Sequence, residues 1–167
     1  MRILNTIPVW FLTLTALACS STQQLPASSA DNIKSIVPGR SFVFRVQTVL
    51  PMSGRTRQVA GDGYEVIISK DTVNSYLPFF GRAYTAPIDP SRNGLDFIST
   101  DFEYTETAGR NGGWEITIKP RDNRDVQQMN FTISENGYAS LQVTNNNRSP
   151  ISYNGIITAE SSRKRKK

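Results

Sequence analysis

The chain has 167 residues with 19 Lys and Arg against 14 Asp and Glu, a single cysteine and no histidine. The absence of histidine removes the commonest general base, the commonest zinc ligand and every Ser-His-Asp or Cys-His arrangement. One cysteine allows no intramolecular disulfide, so the fold must hold by burial and backbone pairing.

The net charge of +5 is a local feature. Arg163, Lys164, Arg165, Lys166 and Lys167 supply all of it, and the rest of the chain is balanced. Nucleic acid is therefore not an expected partner. In an exported chain this run, residues 161–167, reads as a solvated tail. Its functional alternative is salt-screened attraction to anionic lipid headgroups or polysaccharide.

The chain begins with Arg2 and an apolar run from Ile3 to Ala18, with Ala16 and Ala18 in an A-x-A-like cleavage pattern. That is the layout of a secretory signal over residues 1–18. The run is shorter than the ~20 apolar residues a spanning helix needs and contains Asn5 and Pro8, so a retained transmembrane helix is not expected. Cys19 follows directly. Ala16-Leu17-Ala18-Cys19 resembles a bacterial lipobox, in which the cysteine becomes the lipid-modified N-terminus; the alternative is ordinary cleavage leaving a free thiol. Removing 18 residues leaves 149, enough for one domain with a real core.

Residues 19–39 are expected to be the anchor and a linker, since Ser20 to Asn32 is rich in Ser, Thr, Gln, Ala and Asp. Ala30 to Val37 could form a short helix, capped by Ser29 and ended by Pro38-Gly39. From there to residue 160 the chain reads as a single β domain. Phe42, Phe44 and Val46 alternate with polar or outward positions, and after the Gly61-Asp62-Gly63 turn so do Tyr64, Val66 and Ile68. Asp71-Thr72-Val73 reads as a turn at a strand start, and also matches a short O-glycosylation tripeptide. Leu95 to Thr107 is long for one strand and changes phase, which predicts a bulge or kink near Ser99 to Asp101.

Arg110-Asn111-Gly112-Gly113 turns the chain into Trp114, Ile116 and Ile118. Asp122-Asn123-Arg124-Asp125 has acidic spacing loosely like a calcium loop but lacks the rest of one, and reads as a turn. In the next hairpin, a two-residue Asn136-Gly137 loop would oppose Ile133 to Ser140 and mix the faces. A three-residue loop Glu135-Asn136-Gly137 opposes Ser134 to Tyr138 and Ile133 to Ala139, which keeps the apolar faces together. The three-residue form is predicted, with Gly137 left-handed. Ile151, Tyr153 and Ile157 make a last strand. The expected fold is all-β, an antiparallel sandwich or small open barrel of about seven or eight strands.

Three blocks carry a family resemblance: Tyr76 to Tyr84, Asn136 to Val143, and Arg148 to Ile156. In this order behind a lipobox-like signal, they resemble the Bacteroidetes envelope lipoproteins grouped as domain of unknown function 4251, over roughly Ser41 to Thr158. Phe79 and Pro150 depart from the usual residues of that pattern. The resemblance implies an exported, lipid-anchored β domain with no assigned catalytic residues. By resemblance to lipoprotein sorting rules, Ser20 after the cysteine favours the outer membrane, with the domain facing the periplasm.

The candidate contact residues are Tyr76, Phe80, Arg82 and Tyr84, within the densest aromatic cluster of the chain. They could line a groove or barrel mouth for a small apolar or anionic ligand, with Arg82 fixing an anion. The plainer reading is that Leu77, Phe79 and Phe80 close one end of the core while Pro78 and Gly81 shape the loop. Asp96, Asp101, Glu103 and Glu106 are the only carboxylates gathered near aromatics, and a glycosidase would need two of them at a set distance. Alternation of Asp101, Glu103 and Thr105 with Phe102 and Tyr104 favours a solvated strand face. No cofactor or metal is expected. The expected role is a non-catalytic lipoprotein acting on an unknown protein or small-molecule partner; the alternative is a lipocalin-like carrier, and an enzyme is the least favoured reading.

Overall fold

A computed structural model describes residues 33–84 and 94–159. The expectations about the signal, Cys19, the linker and the basic tail fall outside the described residues. Ten strands form one antiparallel sheet: β1 (Phe42–Pro51), β2 (Arg57–Gln58), β3 (Glu65–Ile68), β4 (Val73–Leu77), β5 (Leu95–Ser99), β6 (Phe102–Ala108), β7 (Trp114–Pro120), β8 (Val126–Ile133), β9 (Tyr138–Asn145) and β10 (Ile151–Thr158). The hydrogen-bonded order is β5-β4-β3-β1-β10-β9-β8-β7-β6, with β2 beside β1.

The two edge strands of that order, β5 and β6, are neighbours in sequence, separated only by Thr100 and Asp101. One stretch of chain therefore lies at both edges: its first half pairs with β4 and its second with β7. The sheet must roll up to satisfy this, giving a nearly closed barrel instead of two stacked sheets. Of the two architectures the alternation allowed, the barrel is the one formed. The strand count exceeds the expected seven or eight because the kinked stretch counts twice and β2 adds a two-residue piece.

The kink lies where the phase change predicted it, and it is pinned from across the barrel. The Asp122 carboxylate accepts hydrogen bonds from Ser99 Oγ at 2.5 Å, Thr100 N at 2.9 Å and Asp101 N at 3.3 Å. Arg121 N donates to Asp101 O at 2.8 Å. Asn123 Oδ1 accepts from Asp125 N and Val126 N, the local bonding of an Asx turn. The segment 122–125 is thus a turn, as its composition indicated, and its first residue ties the barrel seam.

Alternate residues fill the interior. In β9, Ala139, Leu141, Val143 and Asn145 are buried while Tyr138, Ser140 and Gln142 are exposed. Phe131 receives the rings of Phe42 and Phe44 edge-on at 6.3 and 5.6 Å, a favoured aromatic geometry. A bulge at Gln47 lets β1 change its neighbour from β3 to β2. The 134–137 loop is the predicted three-residue form: Ser134 N bonds Tyr138 O at 2.9 Å, Ile133 opposes Ala139, and Gly137 has φ 84°.

A short helix, α1 (33–36), packs at one end. Ile33 and Val37 are buried in the core. The helix ends in a Schellman pattern, with Ser41 N bonding Ile36 O and Arg40 N bonding Val37 O. Pro38-Gly39 was the expected stop, yet the left-handed position falls on Arg40, at φ 52°. Arg40 is held there by its guanidinium, which lies 4.4 Å above the Tyr104 ring. The helix end of the barrel also holds the 69–72, 109–113 and 134–137 turns; the loops after β1, β4, β7 and β9 lie at the other, the loop end.

Hydrogen bonds from Ser99, Thr100 and Asp101 hold the Asp122 carboxyl below the ordinary carboxylate value. Its contribution is full above the unfolded pKa and lost as pH falls through the depressed folded value. The acid-side decline of the urea midpoint should therefore be shallower in Asp122→Asn than in wild type below about pH 4, with the wild type more stable at pH 7. Identical pH profiles would show that this carboxylate does not hold the seam.

Candidate functional site

The aromatic segment crosses the loop end. Leu77 is fully buried, and Phe79 and Phe80 pack against the core from a half-buried position. Beneath them the Tyr153 hydroxyl, deep in the barrel, donates to Pro78 O at 2.8 Å. Burial pushes the Tyr153 phenol well above its ordinary range, so it stays a neutral donor.

The segment is then zipped to the β9–β10 loop. Arg82 N donates to Ser149 Oγ at 3.0 Å, Ser149 N to Arg82 O at 2.9 Å, and Tyr84 N to Asn147 O at 2.9 Å. Ala83 and Arg148 form an antiparallel bridge. Gly81 sits where a Cβ would come 2.6 Å from Phe79 Cζ and 2.5 Å from Ser149 Oγ, so only glycine permits this approach.

The four candidate residues do not share one cavity. Tyr76 points outward from β4, 49% exposed, with its ring 5.3 Å from that of Tyr64. Phe80 is part of the cover over the core. Arg82 and Tyr84 are exposed on the rim. What surrounds the segment is a set of guanidiniums backed by its rings. Arg57 lies 4.2 Å over Phe80 and Arg148 5.1 Å over Phe79. Arg148 also donates to Gly94 O at 3.3 Å. Among the described residues, no carboxylate lies within ion-pair distance of Arg57 or Arg82.

Sequence reasoning singled out Arg82 but missed Arg57 and Arg148. Both reach the segment through tertiary contacts, from β2 and from the β9–β10 loop, and no spacing in the chain signals that. The carboxylates disperse. Asp96 lies opposite Tyr76 on β5, Asp101 lies in the kink, and Glu103 pairs with Arg121 at 3.9 Å. Glu106 departs from the solvated-face reading: it shares the inner face with Tyr104 and is half-buried. Among the described residues there is no Asp/Glu group able to hold a metal ion, and no helix long and apolar enough to cross a membrane.

The geometry defines a class: a small antiparallel barrel with a filled interior, a helix at one end and an arginine–aromatic rim at the other. Within that class the chain belongs to the family described as Domain of unknown function (DUF4251), which it matches over residues 24–157. It is similar in fold to a crystal structure of a DUF4251 family protein from Bacteroides eggerthii DSM 20697. The two share 14% identity and a TM-score of 0.59, over 80% of this chain and 89% of that one. No curated protein matches the sequence.

The Tyr153–Pro78 bond is the test of how the rim is held. Tyr153→Phe leaves a buried carbonyl without its donor and should cost about 1–3 kcal/mol by urea denaturation. The loss should be accompanied by faster proteolysis within 78–84. A variant as stable as wild type would mean that the zipper to 147–149 suffices.

Proposed function

We propose that this chain is an exported, lipid-anchored binding module without catalysis, held at the outer membrane through Cys19 with its domain facing the periplasm. Its contact surface is the loop-end rim, and its partner is anionic. The observation that carries this reading is the pair Arg57 and Arg82. A guanidinium placed on a ring face with no carboxylate partner keeps its charge and donors for something outside the chain. Arg148 adds a third cation at the same rim.

The filled barrel axis favours rim contact over a ligand held inside. Tyr153, Phe42, Phe44 and Phe131 are all fully buried there, whereas a carrier needs a lined cavity of roughly 300 Å³ or more. The entry of the chain supports the same arrangement. Residues before Ile33 join the fold at the helix end, so an anchor at Cys19 leaves the rim at the opposite end.

Two measurements test the parts separately. Cys19→Ala should release the protein from membranes in a high-salt wash, and its retention would end the anchor reading. On an immobilised sulfated glycan, Arg57→Gln/Arg82→Gln should elute at clearly lower salt than wild type, because log affinity falls with the number of ionic contacts. Unchanged elution would remove the rim as an anion surface.

A further inference from the structure

Strands β1 and β10 are antiparallel partners along their whole length, with Val43 opposite Thr158. The N-terminal entry to the fold and its C-terminal exit therefore lie side by side at the helix end. From Ala159 the chain needs only four residues to reach Arg163, the first of five consecutive cations. Those four steps span at most about 14 Å.

The turns at this end are themselves nearly neutral. Lys34 pairs with Glu135 at 3.4 Å, and Lys70 is followed directly by Asp71. Unbalanced positive charge at the helix end thus belongs to residues 163–167. We infer that this run is a second membrane contact, binding the anionic phospholipid surface to which Cys19 anchors the chain.

The argument is one of proximity and charge. The 14 steps from Cys19 to Ile33 cannot exceed about 48 Å even when fully extended. An anchored molecule therefore presents the run to its own bilayer at an effective concentration of about millimolar. Clusters of four to eight Lys and Arg beside a membrane attachment bind anionic lipid, and the attraction acts over about one Debye length. Two or more acyl chains on Cys19 suffice for retention, so the consequence of the second contact is orientation. It holds the helix end on the bilayer and turns the rim of Arg57, Arg82 and Arg148 outward.

This inference rests on the Cys19 anchor, and the experiment reads the two separately. The full chain, isolated from membranes, is reconstituted with phosphatidylcholine vesicles with or without 30% phosphatidylglycerol. Flotation with the neutral vesicles reports the anchor alone. Tryptic cleavage within 163–167 is then followed by mass spectrometry, relative to cleavage after Arg55 or Arg57 at the loop end. The tail-to-rim ratio should fall roughly tenfold on the anionic vesicles and recover in 0.5 M NaCl. Equal ratios on both vesicles would overturn the inference, as would protection conferred only by a soluble anionic polysaccharide. If the chain does not float with neutral vesicles, the anchor fails, and the tail is judged by salt-sensitive flotation with the anionic vesicles. Removal of that flotation by Arg163→Gln, Lys164→Gln, Arg165→Gln, Lys166→Gln and Lys167→Gln together would uphold it, and its persistence in that variant would refute it.

Discussion

Closure of the sheet by one kinked strand is the constraint from which the rest of this structure follows. An open antiparallel sheet of this length would expose two edges and one apolar face. Here the stretch from Leu95 to Ala108 lies at both edges, so rolling up is the only way to bury Leu95 with Leu77 and to bring Tyr104 opposite Ile118. No continuous ladder joins β5 to β6, and the seam depends on side chains instead. Asp122 is the principal one, because a single carboxylate can accept three donors from a backbone that has left the ladder.

The barrel then divides the molecule's tasks between its ends. At the helix end, Ile33 and Val37 complete the core and the two chain exits meet. At the loop end, the core is covered by Phe79 and Phe80, and that cover doubles as a platform for guanidiniums. A ring face that is half-buried on its inner side offers an outer side to arginine without further desolvation. The same phenylalanines serve packing and placement, which is why the plain reading of this segment and the functional one are both partly met. Leu77, Phe79 and Phe80 seal the core, while Arg57, Arg82 and Arg148 are displayed on the seal.

The site was legible only as far as local chemistry reaches. Arg82 stood out because a loop that merely turns needs no guanidinium. The ring contact of Tyr76 with Tyr64, the stacking of Arg57 on Phe80 and the seat of Gly81 against Ser149 could not be read from spacing. The residues in the last of these pairs are 68 positions apart in the chain. Strand β4 escaped the alternation pattern beyond Val73 for a related reason. Its inward Ser75 is a polar residue, made tolerable only by donating to Leu95 O at 2.8 Å from a strand twenty residues away.

By itself the sequence determined everything that depends on period two and on short turns. The inward faces of β1, β8, β9 and β10 were readable, as were the three-residue loop with left-handed Gly137 and the break in phase at Ser99 to Asp101. These are local because side-chain direction alternates residue by residue, and a loop's length sets the register beside it. Tertiary structure alone decided that the phase break closes a barrel, that Arg40 carries the helix stop next to Gly39, and that three arginines from separate elements meet on two phenylalanine rings. The physical reason is the same in each case. Hydrogen-bond and packing partners that are distant in sequence are chosen by the global path of the sheet, and a one-dimensional pattern is compatible with more than one such path.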